Sequence, residues 1–354
     1  MSDWIAATRA RVVDAAATHT PLCICGASSK RFYGREPQGS ELCTREHRGI
    51  VSYEPTELVV TARAGTPLDA LIGELDSARQ MLAFEPPAFG AQGTVGGAIA
   101  SGLAGPRRPY AGAVRDFVLG IQCINGRGDV LTFGGQVMKN VAGYDISRLM
   151  TVALGTLGVI TQVSLKVLPK PLTETTLRLE IHVELALEKL TEYARQPLPI
   201  SGASYESGVL RIRLSGTENG VNAARKAIGG DIDAEGAHYW IGLRDQTLAF
   251  FKDDTPLWRL SVPPSTPALS IGNDQLVDWG GALRWVKTEA SATEVRSTVA
   301  VCGGHATLFR GGDRKGEVFQ PLPPVLMGWH QRLKRAFDPN GILNPGRLYA
   351  DMLP

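Results

Sequence analysis

Gly93-Thr-Val-Gly96-Gly97, Gly102-Leu-Ala-Gly105-Pro-Arg-Arg108, Gly134-Gly135-Gln-Val-Met-Lys139-Asn-Val-Ala-Gly143-Tyr-Asp145 and Gly155-Thr-Leu-Gly158-Val-Ile160 follow one another between residues 90 and 158. That segment carries 15 of the chain's 40 glycines. Glycine costs backbone entropy and is used where φ must be positive or where backbone must approach a partner without a Cβ between them. Strand-like runs such as Phe117-Val-Leu-Gly-Ile-Gln-Cys-Ile124 separate the clusters, so the segment is no flexible linker. Two readings fit the glycine count equally: several loops converging on a large ligand or a phosphate, or a β-rich domain with many tight turns.

The rest of the chain narrows the choice. Its 354 residues suit about two domains, and 44% hydrophobic with 20% charged residues is ordinary globular composition. A net charge of +2 gives no electrostatic case for nucleic acid. The Lys334-Arg335 pair reads as a solvated helix face. The most apolar stretch, Leu149 to Val163, is too interrupted by glycine, threonine and glutamine to span a membrane. The first residues lack the features of a signal peptide, which points to the cytoplasm. Cysteines at 23, 25, 43, 123 and 302 include no Cys-x-x-Cys, and the six histidines form no metal motif, so neither an iron–sulfur cluster nor a metal site is expected. Cys23 and Cys25 read as small packed hydrophobes.

Residues 3 to 18 form an amphipathic helix pattern. Pro21-Leu-Cys-Ile-Cys25 is a short strand running into Gly26-Ala27-Ser28-Ser29-Lys30, a small, hydroxyl-rich loop of the kind that presents amides to an anion, or a turn that satisfies itself. Thr66-Pro-Leu-Asp69 predicts a helix start with Thr66 as its cap. Asn125-Gly126 predicts a hairpin turn between strands 117–124 and 129–133. Leu157 to Leu168 alternates as a strand and stops at Pro169-Lys-Pro171, the first expected boundary. Beyond it, strand 176–183 (with a solvated His182), helix 184–195, strands near 203–205 and 209–214, helix 221–228 and a strand near His238-Tyr-Trp240 give a β-α-β-β-α-β order. Further strands are expected at 257–262, 283–286 and 305–309. A final helix, 323–337, precedes Asp338-Pro-Asn-Gly-Ile-Leu-Asn344-Pro-Gly-Arg347.

Neither a dinucleotide Gly-x-Gly-x-x-Gly between strand and helix nor a Walker A loop occurs. The ordered series Gly26 to Gly34, Tyr53 to Leu68, Gly93 to Gly97, Gly112-Ala-Val-Arg115-Asp116 and Gly155 to Thr161 resembles the vanillyl-alcohol-oxidase or PCMH type of FAD-binding domain, over residues 1 to 170. Gly102 to Pro109, Phe133 to Asp145, Pro197 to Gly202, Asp278 to Trp285, Gly303 to Thr307 and the C-terminal tail are similar to the FAD-binding E subunits of bacterial glycolate oxidase. The family's usual Gly-Ser is replaced here by Ala153-Leu154, and the His motifs with which larger superfamily members bind metal near the substrate are missing.

The resemblance implies an α+β fold. A two-subdomain PCMH-type FAD-binding domain (1–170) would be followed by an α/β cap with ferredoxin-like elements (171–310) and a returning tail (311–354). It implies non-covalent FAD held by Gly26, Ala27, Ser28, Ser29, Lys30, Gly93, Thr94, Val95, Gly96, Gly97, Ser101, Arg115, Asp116, Gly155, Leu157, Gly158, Val159, Ile160 and Asn344, and no metal. The pyrophosphate would lie between the loops at 26–30 and 93–97, against backbone N–H groups, with a positive φ at Gly96 or Gly97. Glycolate would be oxidised to glyoxylate in a complex with two partners, a larger FAD-binding chain of the D type and an iron–sulfur chain of the F type, at the cytoplasmic side of the inner membrane. Arg107, Arg108, Tyr144, Arg284 and His305 are the candidates for substrate chemistry. The alternative is a scaffold subunit with a vestigial flavin fold.

Overall fold

The computed structural model describes residues 3–90, 93–135, 145–272 and 274–352. Expectations on Tyr144 and most of the Gly135 to Asp145 motif lie outside them.

The opening helix, Asp3–Thr18, buries Ile5, Val12 and Ala15. They pack on Leu22, Leu42, Ile124, Val159, Ile342 and Leu343, so the N-terminus and the tail share one core. Strands Leu22–Cys25 and Ser40–Cys43 pair in parallel. The tail joins their edge: Leu22 N donates to Ile342 O at 2.8 Å and Asn344 N to Leu22 O at 2.9 Å.

A five-stranded antiparallel sheet follows, in the order Ile50–Glu54, Val59–Arg63, Val159–Lys166, Val118–Ile124, Val130–Gly134. Its apolar face meets helices Leu68–Ser77 and Val95–Ser101 around Leu71, Leu75, Phe84, Ile99, Ile121 and Val163. The first of these helices starts one residue later than a Thr66 cap requires. Pro67 holds the cap position, and the Thr66 hydroxyl instead bonds both N and O of Gly49, tying neighbouring loops together. The Asn125-Gly126 turn forms as expected: Asn125 Oδ1 accepts from the amides of Arg127 and Asp129, both at 2.9 Å. A Cβ on Gly126 would stand 2.4 Å from Asp338 Oδ1, so only glycine lets this turn touch the tail.

The second half of the chain builds an eight-stranded sheet. Its first four strands lie in the order Asp231–Ile232, Thr173–Glu180, Val209–Gly216, Ile200–Glu206, the antiparallel split βαβ arrangement, with helices Val183–Tyr193 and Glu218–Ile228. The expected strand at His238-Tyr-Trp240 is a helix, Gly236–Asp245. Tyr239 and Trp240 drive that outcome by reaching the sheet together: Tyr239 Oη bonds Ser204 Oγ at 2.8 Å and Trp240 Nε1 donates to Thr176 Oγ1 at 2.9 Å. His182 is exposed, at the cap position of the Val183 helix rather than in a strand. Strands Asp274–Asp278, Leu283–Lys287, Leu257–Ser261 and His305–Arg310 continue the sheet; the first of them had no clear signal in sequence.

Two polar junctions bind the halves. Arg107 Nη2 stands 2.6 Å from Glu174, Arg213 Nη2 2.9 Å from Glu85, and Arg107 Nε 3.4 Å from Glu85, all in a largely dry seam. Arg107 is therefore neither a solvated loop residue nor free for a substrate. In the tail helix, Pro324–Phe337, Lys334 is 1% exposed, which overturns its reading as a solvated residue. Its ammonium meets Asp338 Oδ2 at 2.6 Å, Leu343 O at 2.7 Å and Thr156 O at 2.8 Å.

Candidate cofactor site

One pocket gathers the glycine loops. It is lined by Gly26, Ala27, Ser28, Ser29, Lys30, Thr94, Gly96, Gly97, Ser101, Gly155, Gly158, Ile160 and Asn344. Six expected residues stand elsewhere. Val95 and Val159 are buried in cores, 1% and 0% exposed. Gly93 lies behind Lys30, its absent Cβ 3.4 Å from Nζ. Arg115, Asp116 and Leu157 line a second cavity, between the five-stranded sheet's domain and the cap. Cys23, Ile24, Cys25, Arg31, Pro37, Thr44, Ala64, Ala100, Leu154 and Arg347, outside the expected cofactor-binding set, also line the first pocket.

The two loops facing each other differ in what they offer. The Thr94 to Gly97 loop spends its amides internally: Val95 N goes to Thr66 O, Gly96 N to Ala64 O and Gly97 N to Thr94 Oγ1. Gly96 and Gly97 also sit in regular helix, so the expected positive φ is absent. Their value is steric. A Cβ at Gly96 would lie 2.7 Å from Ala64 Cβ, whereas at Gly97 it would meet only Thr94 Oγ1 at 3.1 Å. Gly97 thus opens toward the pocket and Gly96 toward the core.

The 26–30 loop is the reverse. No acceptor among the described residues takes the amides of Ala27, Ser28, Ser29 or Lys30. Ser28 has φ +60, which swings successive N–H groups toward one side, as in an anion-binding nest. Beside them Lys30 has no acid within ion-pair distance among the described residues; its Nζ lies 3.5 Å from Ser29 Oγ and 5.6 Å from the Phe89 ring centroid. Burial pushes the Lys30 ammonium down to about 8, with Asp245 only partly offsetting it. A half-buried cation without counter-charge beside unclaimed amides fits a phosphate group.

The tail shapes this loop from beneath. Arg347, 7% exposed, donates to Arg31 O at 2.8 Å and to Tyr33 O and Arg35 O. Asn344 is largely occupied: Oδ1 accepts from Ile24 N at 2.7 Å and Nδ2 donates to Leu154 O at 2.6 Å. It clamps the first strand to the Leu154-Gly155 turn, where Leu154 and Gly155 have φ of 48 and 73. Arg347 stood in the same tail motif, and its conjunction with Asn344 was the available signal.

Cys25 is half-buried rather than packed away, and its thiol, Glu41 and Cys43 place ligand atoms within 4.8 Å of one another. Burial, then Glu41 and Cys43, push the Cys25 thiol up to about 12, which makes it a poor nucleophile. His47 stacks on Trp4 with centroids 4.5 Å apart, away from the pocket. Of the substrate candidates, Arg284 is 1% exposed and donates to Gly281 O and Thr266 O, a structural role. Arg108 stacks 4.4 Å over Trp279. Among the described candidates only His305 lines the second cavity.

The FAD binding domain model matches residues 5–134, and the C-terminal domain of FAD linked oxidases matches residues 285–348. The glycolate oxidase subunit GlcE of Escherichia coli is 49% identical over 350 residues, covering 99% of both chains. The chain belongs to the GlcE family. It is thus an FAD-dependent oxidoreductase subunit of the glycolate oxidase type, with FAD as its cofactor. Glycolate oxidase subunit GlcD of Bacillus subtilis matches at 42% over 84 residues, 24% of this chain and 18% of that one. Among solved structures, p-cresol methylhydroxylase with substrate bound superposes with TM-score 0.71 at 16% identity, over 97% of this chain and 87% of that one. 4-Ethylphenol oxidase from Gulosibacter chungangensis gives 0.69 at 13% identity, over 98% and 87%. The PCMH-type FAD-binding fold expected from the loop order is the one observed.

Proposed function

We propose that this chain binds FAD non-covalently in the glycine-lined pocket and serves as a partner-dependent subunit of a glycolate-oxidising complex. The observation that carries the reading is Lys30, a half-buried cation that has no acid partner among the described residues, beside four amides that no described acceptor takes. Ala27 to Lys30 would hold the pyrophosphate, Gly97 would let it approach, and Gly155, Gly158 and Ile160 would line the nucleotide. When bound, FAD supplies two-electron redox chemistry. The high Cys25 thiol pKa argues against a covalent link.

Five cysteines without a cluster motif argue against an iron–sulfur centre in this chain, and in this reading its reduced flavin passes electrons to a partner protein. The likeness to chains named as glycolate oxidase subunits GlcE and GlcD supports a complex with a larger FAD-binding D-type chain; an iron–sulfur F-type chain would complete it as the electron acceptor. Glycolate is the substrate and glyoxylate the product. Among the described residues no helix is long and apolar enough to cross a membrane. A cytoplasmic complex, peripheral on the inner membrane, accords with that. The boundaries near 170 and 310 belong to the same proposal: each large sheet has a core of its own, a third cluster around Tyr33, Leu154, Trp285 and Phe309 joins the two halves, and the tail returns to the first.

Reconstitution tests this against a scaffold role. The isolated chain should reduce an artificial acceptor with glycolate poorly or not at all, and the three-subunit mixture should turn over. A mixture containing Gly97→Val should still assemble in a pull-down yet lose activity along with this chain's flavin. Full activity without that flavin would make the chain a scaffold. Robust turnover by the isolated chain would overturn partner dependence.

A further inference from the structure

The second cavity lies across the 153–158 turn from the cofactor pocket. Leu154, Gly155 and Gly158 face the pocket, whereas Ala153, Thr156 and Leu157 face the cavity. Three arginines line it among the described residues. Arg115 and Arg148 are each more than half exposed and paired, with Asp116 at 4.0 Å and Asp145 at 2.9 Å. Arg259 differs. It is half-buried, and among the described residues it has no hydrogen-bond or ion-pair partner; its guanidinium rests 4.9 Å over the Trp279 ring. Asp278, the acid whose field it feels, forms no ion pair with it and gives one carboxylate oxygen to Trp279 N at 2.7 Å.

Strand register decides what surrounds Arg259. It stands opposite Thr307 in the pairing of Leu257–Ser261 with His305–Arg310, and His305 comes two residues before Thr307 on the same face. Both line the cavity, Thr307 buried and His305 exposed at its edge. From the other domain Tyr33, 4% exposed, reaches the same space, its ring wedged between Phe309 and Phe319 at 5.3 and 5.5 Å. Its hydroxyl has no hydrogen-bond partner among the described residues, and it lies within the electrostatic reach of Arg259. A guanidinium and a phenol that line one cavity, partly withdrawn from water and without hydrogen-bond partners among the described residues, are the donors a carboxylate takes.

We propose that Arg259 and the Tyr33 hydroxyl form the site for the carboxylate of a short 2-hydroxy acid, with Thr307 and His305 beside it. The substrate class rests on the FAD-oxidoreductase reading; the cradle rests on the geometry. The site joins the two halves of the chain, one donor from each.

Equilibrium dialysis of the full-length chain with radiolabelled oxalate, a small carboxylate with no C–H bond to oxidise, tests this with flavin absorbance recorded on the same samples. Arg259→Gln should weaken binding at least ~10-fold and Tyr33→Phe by about 3- to 10-fold, the range of a charge-assisted and a neutral hydrogen bond. Arg259→Lys should fall between wild type and Arg259→Gln, and Arg148→Gln, at a paired rim residue, should change affinity less than about 2-fold. Oxalate binding unchanged in Arg259→Gln, or absent in folded wild-type protein, overturns the cradle whether or not flavin is present. Arg259-dependent binding in a chain that holds no flavin would keep the cradle and overturn the cofactor reading.

Discussion

Lys334 in the tail helix and Lys30 in the first loop are both drawn out of water, yet their surroundings are opposite. Lys334 is fully enclosed and fully satisfied, by Asp338 and two carbonyls, and Asp338 in turn accepts from Ile342 N and Leu343 N. Lys30 has one serine hydroxyl at 3.5 Å and an aromatic ring. The same contrast separates Arg107, held by Glu85 and Glu174, from Arg259, which pairs with no acid among the described residues. A buried cation with a matched acid locks the fold, because removing either partner strands the other. A withdrawn cation without one keeps its charge available to a ligand. Residue type and burial alone do not distinguish the two roles; the partner does.

The largest effect should come from breaking the satisfied pair. Lys334→Ala leaves Asp338 buried without its cation and should cost about 3–5 kcal/mol in denaturant unfolding. An unfolding midpoint equal to wild type would mean that the latch does not hold the tail. The next effect separates stability from binding. Gly97→Val places two methyl groups where the pocket opens, so FAD affinity should fall by ~10- to 100-fold, the size of an overpacking penalty of about 1–3 kcal/mol. Unfolding of the 171–310 region should be nearly unchanged, whereas Gly96→Val, aimed at Ala64, should also destabilise the fold. Wild-type FAD affinity in Gly97→Val would show that the cofactor does not approach this face of the helix.

Lys30→Met should lower FAD affinity about 10-fold and leave stability within about 1 kcal/mol of wild type, the inverse of Lys334→Ala. The pH profile sharpens the point. Without ligand the Lys30 ammonium titrates at about 8, and an adjacent phosphate raises that value. Affinity should therefore be flat below pH 8 and fall as pH rises above it, because binding must then take up a proton. Isothermal titration at pH 7 and 9 measures this; a flat profile in wild type, or an equal slope in Lys30→Met, removes Lys30 from the site.

Local chemistry was legible in the sequence where it is encoded by neighbours. The Asn125-Gly126 turn, the amphipathic 3–18 helix and the order of the glycine loops each depend on a few adjacent residues, and each is where it was expected. What the sequence concealed depends on distant partners. Tyr239 and Trp240 are held in a helix by Ser204 and Thr176, and Lys334 is buried by a turn at Thr156. Arg259 carried no signal at all, since its significance is the lack of an acid at a place fixed by strand register. Arg107 and Arg284, which did stand out, are satisfied by Glu85, Glu174 and backbone carbonyls.

The most direct measurement is the absorbance spectrum of the purified chain, taken before and after denaturation with acid or heat and filtration. A cofactor held by unclaimed amides and Lys30, with Cys25 protonated beside it, predicts flavin bands in the folded protein that pass through the filter once it unfolds. A correctly folded chain that stays colourless after incubation with FAD would contradict the assignment of the pocket, and colour retained by the denatured chain would contradict non-covalent binding.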